Sequence, residues 1–235
     1  MTQKNNVRVA VDGELSPSQL PRHGDAPVAI SLSGRISATE GRDLPRLEEI
    51  EIAINRHGRL TTRGLPACRI GRIDPSTSAE ALAACGSSLV GAGSFSADVQ
   101  LPEQSPFPAT GKVWAFNGRF RGRPAVLAHI YGTSPAPTSY VLPFTIDRSR
   151  RGSFGATLTA TLPRVTGEWG FVTGISLKLD RRFSSHGRKH SYLAAGCPAP
   201  RGLSGAVFPF ARTSFSFEGG VAMNSTLVRS CRVEG

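Results

Sequence analysis

The sequence predicts an all-β protein, built from antiparallel β-sandwich sheets in two related halves, with one short helix near residues 78–85. Apolar and polar residues alternate with a period of two along most of the chain, as they do in strands that bury one face. Turn-forming residues separate these runs, with 26 Gly and 17 Pro among 235 residues. The chain lacks the series of helices that parallel strands need as crossover connections, so we expect no parallel sheet.

About a dozen alternating runs follow one another along the chain. Ile50, Ile52 and Ile54, for example, alternate with Glu49, Glu51 and Ala53. We predict strands at residues 7–11, 27–36, 50–54, 94–101, 112–116, 125–131, 139–146, 155–162, 171–179, 191–195, 213–217 and 225–228. Three short sequences between or within these runs are typical of hairpin turns: Asn117-Gly118, Ser185-His186-Gly187 and Gly219-Gly220. No window approaches 18 consecutive apolar residues, so we expect no membrane-spanning helix.

One segment has the pattern of a helix. The cluster 74–78 (DPSTS) is rich in capping residues, Ala79–Cys85 consists mostly of strong helix formers, and Gly86 is a typical terminating residue. The three signals agree on a helix close to 78–85. Cys85 would then lie on its last turn.

The order of motifs repeats along the chain. The runs 32–36 and 50–56, Cys68 and the run 94–96 are followed in the same order by 158–162, 175–181, Cys197 and 214–216, at offsets of 126, 125, 129 and 120 residues. We predict a disordered tail at 1–6, a first β half at 7–150 and a second at 151–235. Two alternatives remain, namely that the repeat reflects ordinary strand periodicity, or that both halves share one continuous barrel-like sheet.

The cysteines indicate the redox compartment. Cys68, Cys85, Cys197 and Cys231 include no CxxC pair and have no neighbouring His at metal spacing, so we expect no metal site. An even count suits two disulfides and an oxidising compartment. Of three possible connectivities we favour Cys68–Cys85 and Cys197–Cys231, whereas a 68–197 bridge would join the repeated cysteines. The alternative is four free thiols in a cytoplasmic protein.

The charge balance is the extreme value of this composition. The net charge is +11, and 24 of the 28 basic residues are arginine. We predict a polyanion-binding surface if two groups of cations converge, because guanidinium groups bind phosphate and carboxylate polymers well. The groups are Arg148, Arg150 and Arg151 in one turn and Arg181, Arg182, Arg188 and Lys189 in a hairpin. The competing expectation is an evenly spread set of arginines paired with the 17 carboxylates, which would reflect codon usage.

Catalytic motifs are weak. The GxSxG elbow and the dinucleotide fingerprint are incomplete and no P-loop occurs, so we expect no cofactor. The alternative of a hydrolase would use His57 or His129 as the base, together with Glu49 or Asp98. Such a pair would have to meet in one concave pocket.

Several stretches resemble a group of uncharacterised, predicted secreted proteins of high-GC actinobacteria. The residues that carry the resemblance are 54–60 (INRHGRL), 64–68 (GLPAC), 101–108 (LPEQSPFP), 116–119 (FNGR), 129–132 (HIYG), 141–144 (VLPF), 197–200 (CPAP) and 230–233 (SCRV). The resemblance implies export and disulfides and supplies no mechanism.

The expected location follows from these features. Met1–Asn6 is not part of an apolar leader run, so we expect a removed leader, a misplaced start or a cytoplasmic protein. The leading hypothesis is a non-catalytic, exported binding or structural module of the cell envelope. An anionic envelope polymer is its candidate partner.

Overall fold

The computed structural model describes residues 1–39, 44–100, 103–105, 107–134, 136–162 and 170–234. Eighteen strands lie within these ranges. They are β1 Thr2–Lys4, β2 Val7–Ser16, β3 Gln19–Leu20, β4 Ala26–Pro27, β5 Ala29–Ala38, β6 Leu47–Asn55, β7 Gly58–Leu60, β8 Leu89–Val99, β9 Phe107–Phe120, β10 Arg123–Gly132, β11 Thr138–Arg148, β12 Phe154–Thr161, β13 Gly170–Leu179, β14 Arg182–Ser185, β15 Arg188–Ser191, β16 Leu193–Ala195, β17 Gly205–Phe217 and β18 Val221–Val233. Leu101, the last residue of a predicted strand, lies outside the described residues.

Thirteen strands share one hydrogen-bonded order, β1-β2-β5-β13-β8-β9-β10-β11-β12-β6-β17-β18-β3. Every pair is antiparallel except the two-residue contact between β3 and β18. The sheet curls until β18 lies beside β2, where Arg229 Nε donates to the Gly13 carbonyl over 2.6 Å and the guanidinium pairs with Asp12. The prediction of an all-β protein is confirmed. The sandwich arrangement is not confirmed, because these strands form a single sheet.

Alternation along the strands sorts the side chains into two layers. On β10, Val126, Ala128 and Ile130 belong to the large core inside the curl, whereas Leu127 belongs to a smaller cluster on the outer face. Helix α1, Ser78–Cys85, covers that outer cluster. Both faces of β10 are therefore buried, which explains why this strand is apolar almost throughout.

Helix α1 has the predicted bounds. The Thr77 side chain accepts from the Glu80 backbone N–H, and the Glu80 carboxylate accepts from the Thr77 N–H over 2.8 Å, which completes a capping box. No helix in the described part of the chain is long and apolar enough to cross a membrane.

Both predicted disulfides are present. Cys68 and Cys85 have Cα atoms 5.6 Å apart, and Cys197 and Cys231 have Cα atoms 5.7 Å apart. The first fastens α1 to the outer face of the sheet, and the second fastens β18 to the segment after β16.

One predicted turn is wrong. Asn117 and Gly118 lie within β9, and the hairpin turn falls at Arg121 and Gly122, both with positive φ. Asn117 is buried, and its side-chain amide donates to the Pro66 carbonyl over 3.0 Å. A Cβ at Gly118 would lie 2.9 Å from the Cys68 carbonyl oxygen, so this glycine permits a close approach and does not mark a turn. The other two predicted turns are present, at His186-Gly187 and Gly219-Gly220.

The predicted domain boundaries need correction. Residues 2–4 do not belong to a disordered tail, because they form β1 and pair with Val7–Val9. The ranges 7–150 and 151–235 are not separate units either. β13 lies between β5 and β8, and β6 lies between β12 and β17, so each half donates its middle strand to the other.

The exchanged strands keep matching registers. Ile175 pairs with Gly34 and Phe95, and Ile50 pairs with Ala160 and Phe215. These two sets stand at the offsets of the sequence repeat, since 34 matches 160, 50 matches 175 and 95 matches 215. The triplet β5-β13-β8 and the triplet β12-β6-β17 therefore have the same strand pairing.

Candidate functional site

The connections at one end of the curled sheet carry most of its positive charge. We call the residues 17–28, 56–64, 119–123, 147–154 and 180–204 the basic end; β6, β9, β11 and β13 finish there and β10, β12 and β17 begin. These residues include 15 Arg or Lys and 3 Asp or Glu, a difference of +12. The remainder of the chain has 13 basic and 14 acidic residues, a difference of −1. The charge is therefore concentrated, contrary to the expectation of an even spread.

The predicted turn 148–151 is held against β7 by two arginine hydrogen bonds. Arg148 Nη2 donates to the Leu60 carbonyl over 2.8 Å, and Arg56 Nη2 donates to the Arg150 carbonyl over 3.0 Å. Arg148, Arg150 and Arg151 are exposed. Two arginines thus order the backbone of this turn, while the guanidinium groups of Arg150 and Arg151 lie at the surface.

The predicted hairpin is attached to Thr61, the residue that follows Leu60 at the end of β7. The Thr61 N–H donates to the Tyr192 carbonyl, and the Tyr192 N–H donates to the Arg181 carbonyl, each over 2.8 Å. β14 and β15 then extend outward with Arg182, Arg188 and Lys189 exposed. Since the turn binds Leu60 and the hairpin binds Thr61, the two groups of cations are brought to one end.

Gly64 allows the loop after β7 to reach the hairpin. Its φ is +83°, and a Cβ there would lie 2.9 Å from the Ser185 Cβ and 3.2 Å from the Phe183 ring. Phe183 stacks on His190 with ring centroids 5.5 Å apart. This contact helps to fix the hairpin and covers one face of the Phe183 ring.

The carboxylates of the basic end are already paired. Asp25 pairs with Arg59 over 3.0 Å, Asp180 pairs with Lys178 over 3.3 Å, and Asp147 pairs with Arg123. None of the seven predicted polyanion-binding cations forms an ion pair with a described residue. Their charge is thus not neutralised within the described chain.

Two buried donors at this end lack acceptors. Arg181 Nε and the Tyr192 hydroxyl are both buried and have no hydrogen-bond partner in the described chain. Burial raises the pKa of Tyr192, and the nearby Arg148 charge opposes that rise without cancelling it.

The histidines proposed for hydrolysis do not meet a carboxylate. His57 is exposed in the turn after β6, with its N–H bound to the Asn55 side chain, and Glu49 lies about 20 Å away toward the other end of that strand. His129 is fully buried on the outer face of β10. Among the described residues neither imidazole binds Glu49 or Asp98, and no three His, Cys, Asp or Glu form a metal-ligating group.

His129 binds the segment that precedes α1. Its Nε2 lies 3.0 Å from the Ser76 carbonyl oxygen and is therefore the protonated nitrogen, while Nδ1 is buried without a partner. Burial lowers the pKa of His129, although the Ser76 hydrogen bond acts in the opposite direction. The imidazole is thus a structural, neutral group that helps to hold residues 73–77 on the sheet.

We predict an acid-sensitive contribution from His129. Because its folded pKa is lowered, the unfolded chain binds the proton more readily, so stability falls as pH decreases below the unfolded value of about 6.5. Urea unfolding of the parent between pH 7.5 and 5 is expected to show this loss. His129→Gln keeps a donor for the Ser76 carbonyl and should flatten the dependence. Exposed His57→Gln is the control, and equal pH profiles for the parent and H129Q would contradict the prediction.

Sequence reasoning missed part of this site. Arg56, Arg59 and Arg63 join the basic end because β7 lies between the turn and the hairpin, and Arg119 and Arg121 join it from the β9–β10 turn. The only sequence signal for them was their position in the segments that follow the predicted strands 50–54 and 112–116. The strand order was needed to show that these ends coincide.

Comparisons with known proteins assign neither a family nor a function to this chain. The chain matches no protein-family model, no curated protein and no solved structure.

Proposed function

We propose that this chain is a non-catalytic, exported module of the cell envelope that binds an anionic polymer through the basic end. The segregation of charge, +12 at one end against −1 elsewhere, carries the proposal. A one-sided field steers and retains polyanions, whereas the same charges dispersed among carboxylates do not. Arginine supplies 14 of the 15 basic residues of the basic end, and its planar fork matches phosphate and carboxylate oxygens.

The disulfides support the exported location. Two buried cystines in a chain of 235 residues, with no free cysteine, are typical of proteins that fold in an oxidising compartment. Anionic polymers are a major component of bacterial envelopes outside the cytoplasm. The proposal therefore joins the location that the cystines favour with the chemistry that the arginines favour.

The binding prediction is tested with inorganic polyphosphate and a 20-base-pair DNA duplex of arbitrary sequence, over a range of NaCl concentrations. Counterion release predicts a log–log slope of about −0.9 for each duplex phosphate neutralised. Neutralising the hairpin as R181Q/R182Q/R188Q/K189Q should flatten the slope by about two to four. Two duplexes of different sequence should bind alike, because the contacts are with phosphates.

A charge-matched variant is the control. K4Q/R8Q/R35Q/K112Q removes four exposed cations outside the basic end and should keep most of the parent's slope. Both quadruple variants should unfold near the parent's urea midpoint, since seven of the eight replaced residues are exposed and contribute little to stability, and the eighth, Arg181, loses only a buried Nε that has no partner. Equal slopes for the two variants, or no binding by the parent at 50 mM NaCl, would refute the proposal.

A further inference from the structure

An apolar cavity lies inside the sheet at the end opposite the basic end. Its volume is about 260 Å³, and residues of β6, β8, β9, β10, β11 and β13 line it. Phe95, Ala97, Tyr140, Leu142, Val172 and Ile175 are among its lining residues. The Tyr140 ring meets the Phe95 ring edge-on at 6.1 Å. The cavity is distinct from the basic end in both position and chemistry.

Small inward-facing residues leave this space. Ala97 pairs with Ala109 on one side and with Val172 on the other, and Gly132 and Gly170 also line the cavity. Three neighbouring strands thus bring little side-chain volume to one level of the interior. Protein interiors are normally filled to crystal-like density. The cavity is therefore a departure from ordinary packing that follows from the small residues at this level.

A second apolar space lies next to this cavity in the interior of the curl. Its volume is about 80 Å³, and Ile50 and Ile175 line both spaces. Apolar cavities stay dry, and one of about 150 Å³ accommodates benzene. By that proportion, 260 Å³ holds about ten carbon atoms. Two neighbouring spaces that share Ile50 and Ile175 favour a long chain over a compact ring.

The polarity of the lining limits the ligand. No charged side chain lines the cavity among the described residues. The polar groups are the Tyr140 phenol and the hydroxyls of Thr110, Ser134 and Thr138, the last three on exposed residues at its mouth. A charged head group would find no counter-charge there, whereas a hydroxyl could exchange hydrogen bonds with the threonine and serine side chains.

We infer that this cavity binds an uncharged single-chain alkyl molecule of about ten carbons, its hydroxyl end at the mouth beside Thr110 and Thr138 and its chain beside Ala97 and Ile175. The site does not depend on the proposed polyanion binding, because no residue of the basic end lines it. A molecule held in this way would be shielded from water by residues of six strands.

The test measures the binding of 1-decanol, an uncharged chain that the basic end does not attract, by isothermal titration calorimetry. The parent should bind 1-decanol saturably at one site. Ala97→Phe places a ring in the cavity and should weaken 1-decanol binding at least tenfold. Ala10→Phe, on the exposed face of β2, should bind like the parent.

Two further measurements keep the outcome decisive. If A97F does not fold, Ala109→Leu fills the same level from the neighbouring strand and should give the same loss. Binding should be insensitive to NaCl and unchanged in R181Q/R182Q/R188Q/K189Q, which separates this site from the basic end. Absence of saturable binding by the parent, or full 1-decanol affinity in a folded cavity-filling variant, would overturn the inference.

Discussion

Gly93→Ala is expected to destabilise the protein by about 3 kcal/mol, near the upper end of the range for overpacking. Gly93 lies in β8 opposite Leu177 of the exchanged strand β13. A Cβ at this position would lie 2.7 Å from the Ser176 carbonyl carbon and 2.9 Å from the Leu177 Cα, and closer still to the Ser176 carbonyl oxygen. These neighbours are backbone atoms, so relief requires the two strands to separate and not merely a side chain to rotate.

Urea unfolding of G93A, with Gly86→Ala as the control, measures this effect. Gly86 has right-handed helical φ and ψ, and a Cβ there meets nothing within 4 Å. Restricting the unfolded chain should make G86A neutral or stabilising by about 0.5 kcal/mol. If G93A unfolded at the parent's midpoint, the tight pairing of β8 with β13 would be disproved.

Removing the bridge between residues 197 and 231 is expected to cost about 4 kcal/mol. The two cysteines are 34 residues apart, and a cross-link over such a loop restricts the unfolded chain by about that amount. Cys231 lies in β18, whose outer neighbour β3 contributes only two residues. The bridge therefore secures a strand close to the edge of the hydrogen-bonded order.

The double variants C197A/C231A and C68A/C85A provide the comparison. The second bridge spans 17 residues and should contribute about 3 kcal/mol. Alanine is used because all four cysteines are buried. The urea midpoints of the two variants measure the difference, and a larger loss for C68A/C85A than for C197A/C231A would contradict the loop-length account.

The sequence was sufficient for local structure and insufficient for strand order. Alternation at Ile50, Ile52 and Ile54 predicted β6, and the cap at Thr77 predicted α1, because both signals come from adjacent residues. The pairing of Ile50 with Ala160 and Phe215 joins residues more than 100 positions apart, and no local pattern specifies it. The repeat offsets were visible, but they do not show which half receives the middle strand.

The same distinction holds for the candidate sites: the sequence indicates their separate segments but not how these segments come together. Arg148 and Arg181 were identified by sequence as members of charged turns, and their approach to one another depends on β7, which was not predicted. The cavity could not be foreseen, since Ala97 and Ala109 are ordinary strand residues until their shared inward face is known. Small residues can therefore be recognised as cavity-lining only once the strand pairing is known.

The exchange of middle strands also determines when the protein can fold during synthesis. β5 and β8 are made early, but the strand between them, β13, ends only at Leu179. Until then, both strands present unpaired backbone N–H and C=O groups toward the missing neighbour. β6 must wait longer for its partner β17, which ends at Phe217. The sheet can therefore close only after Phe217 has been synthesised, and until then the chain exposes two gaps of the kind that other chains can enter.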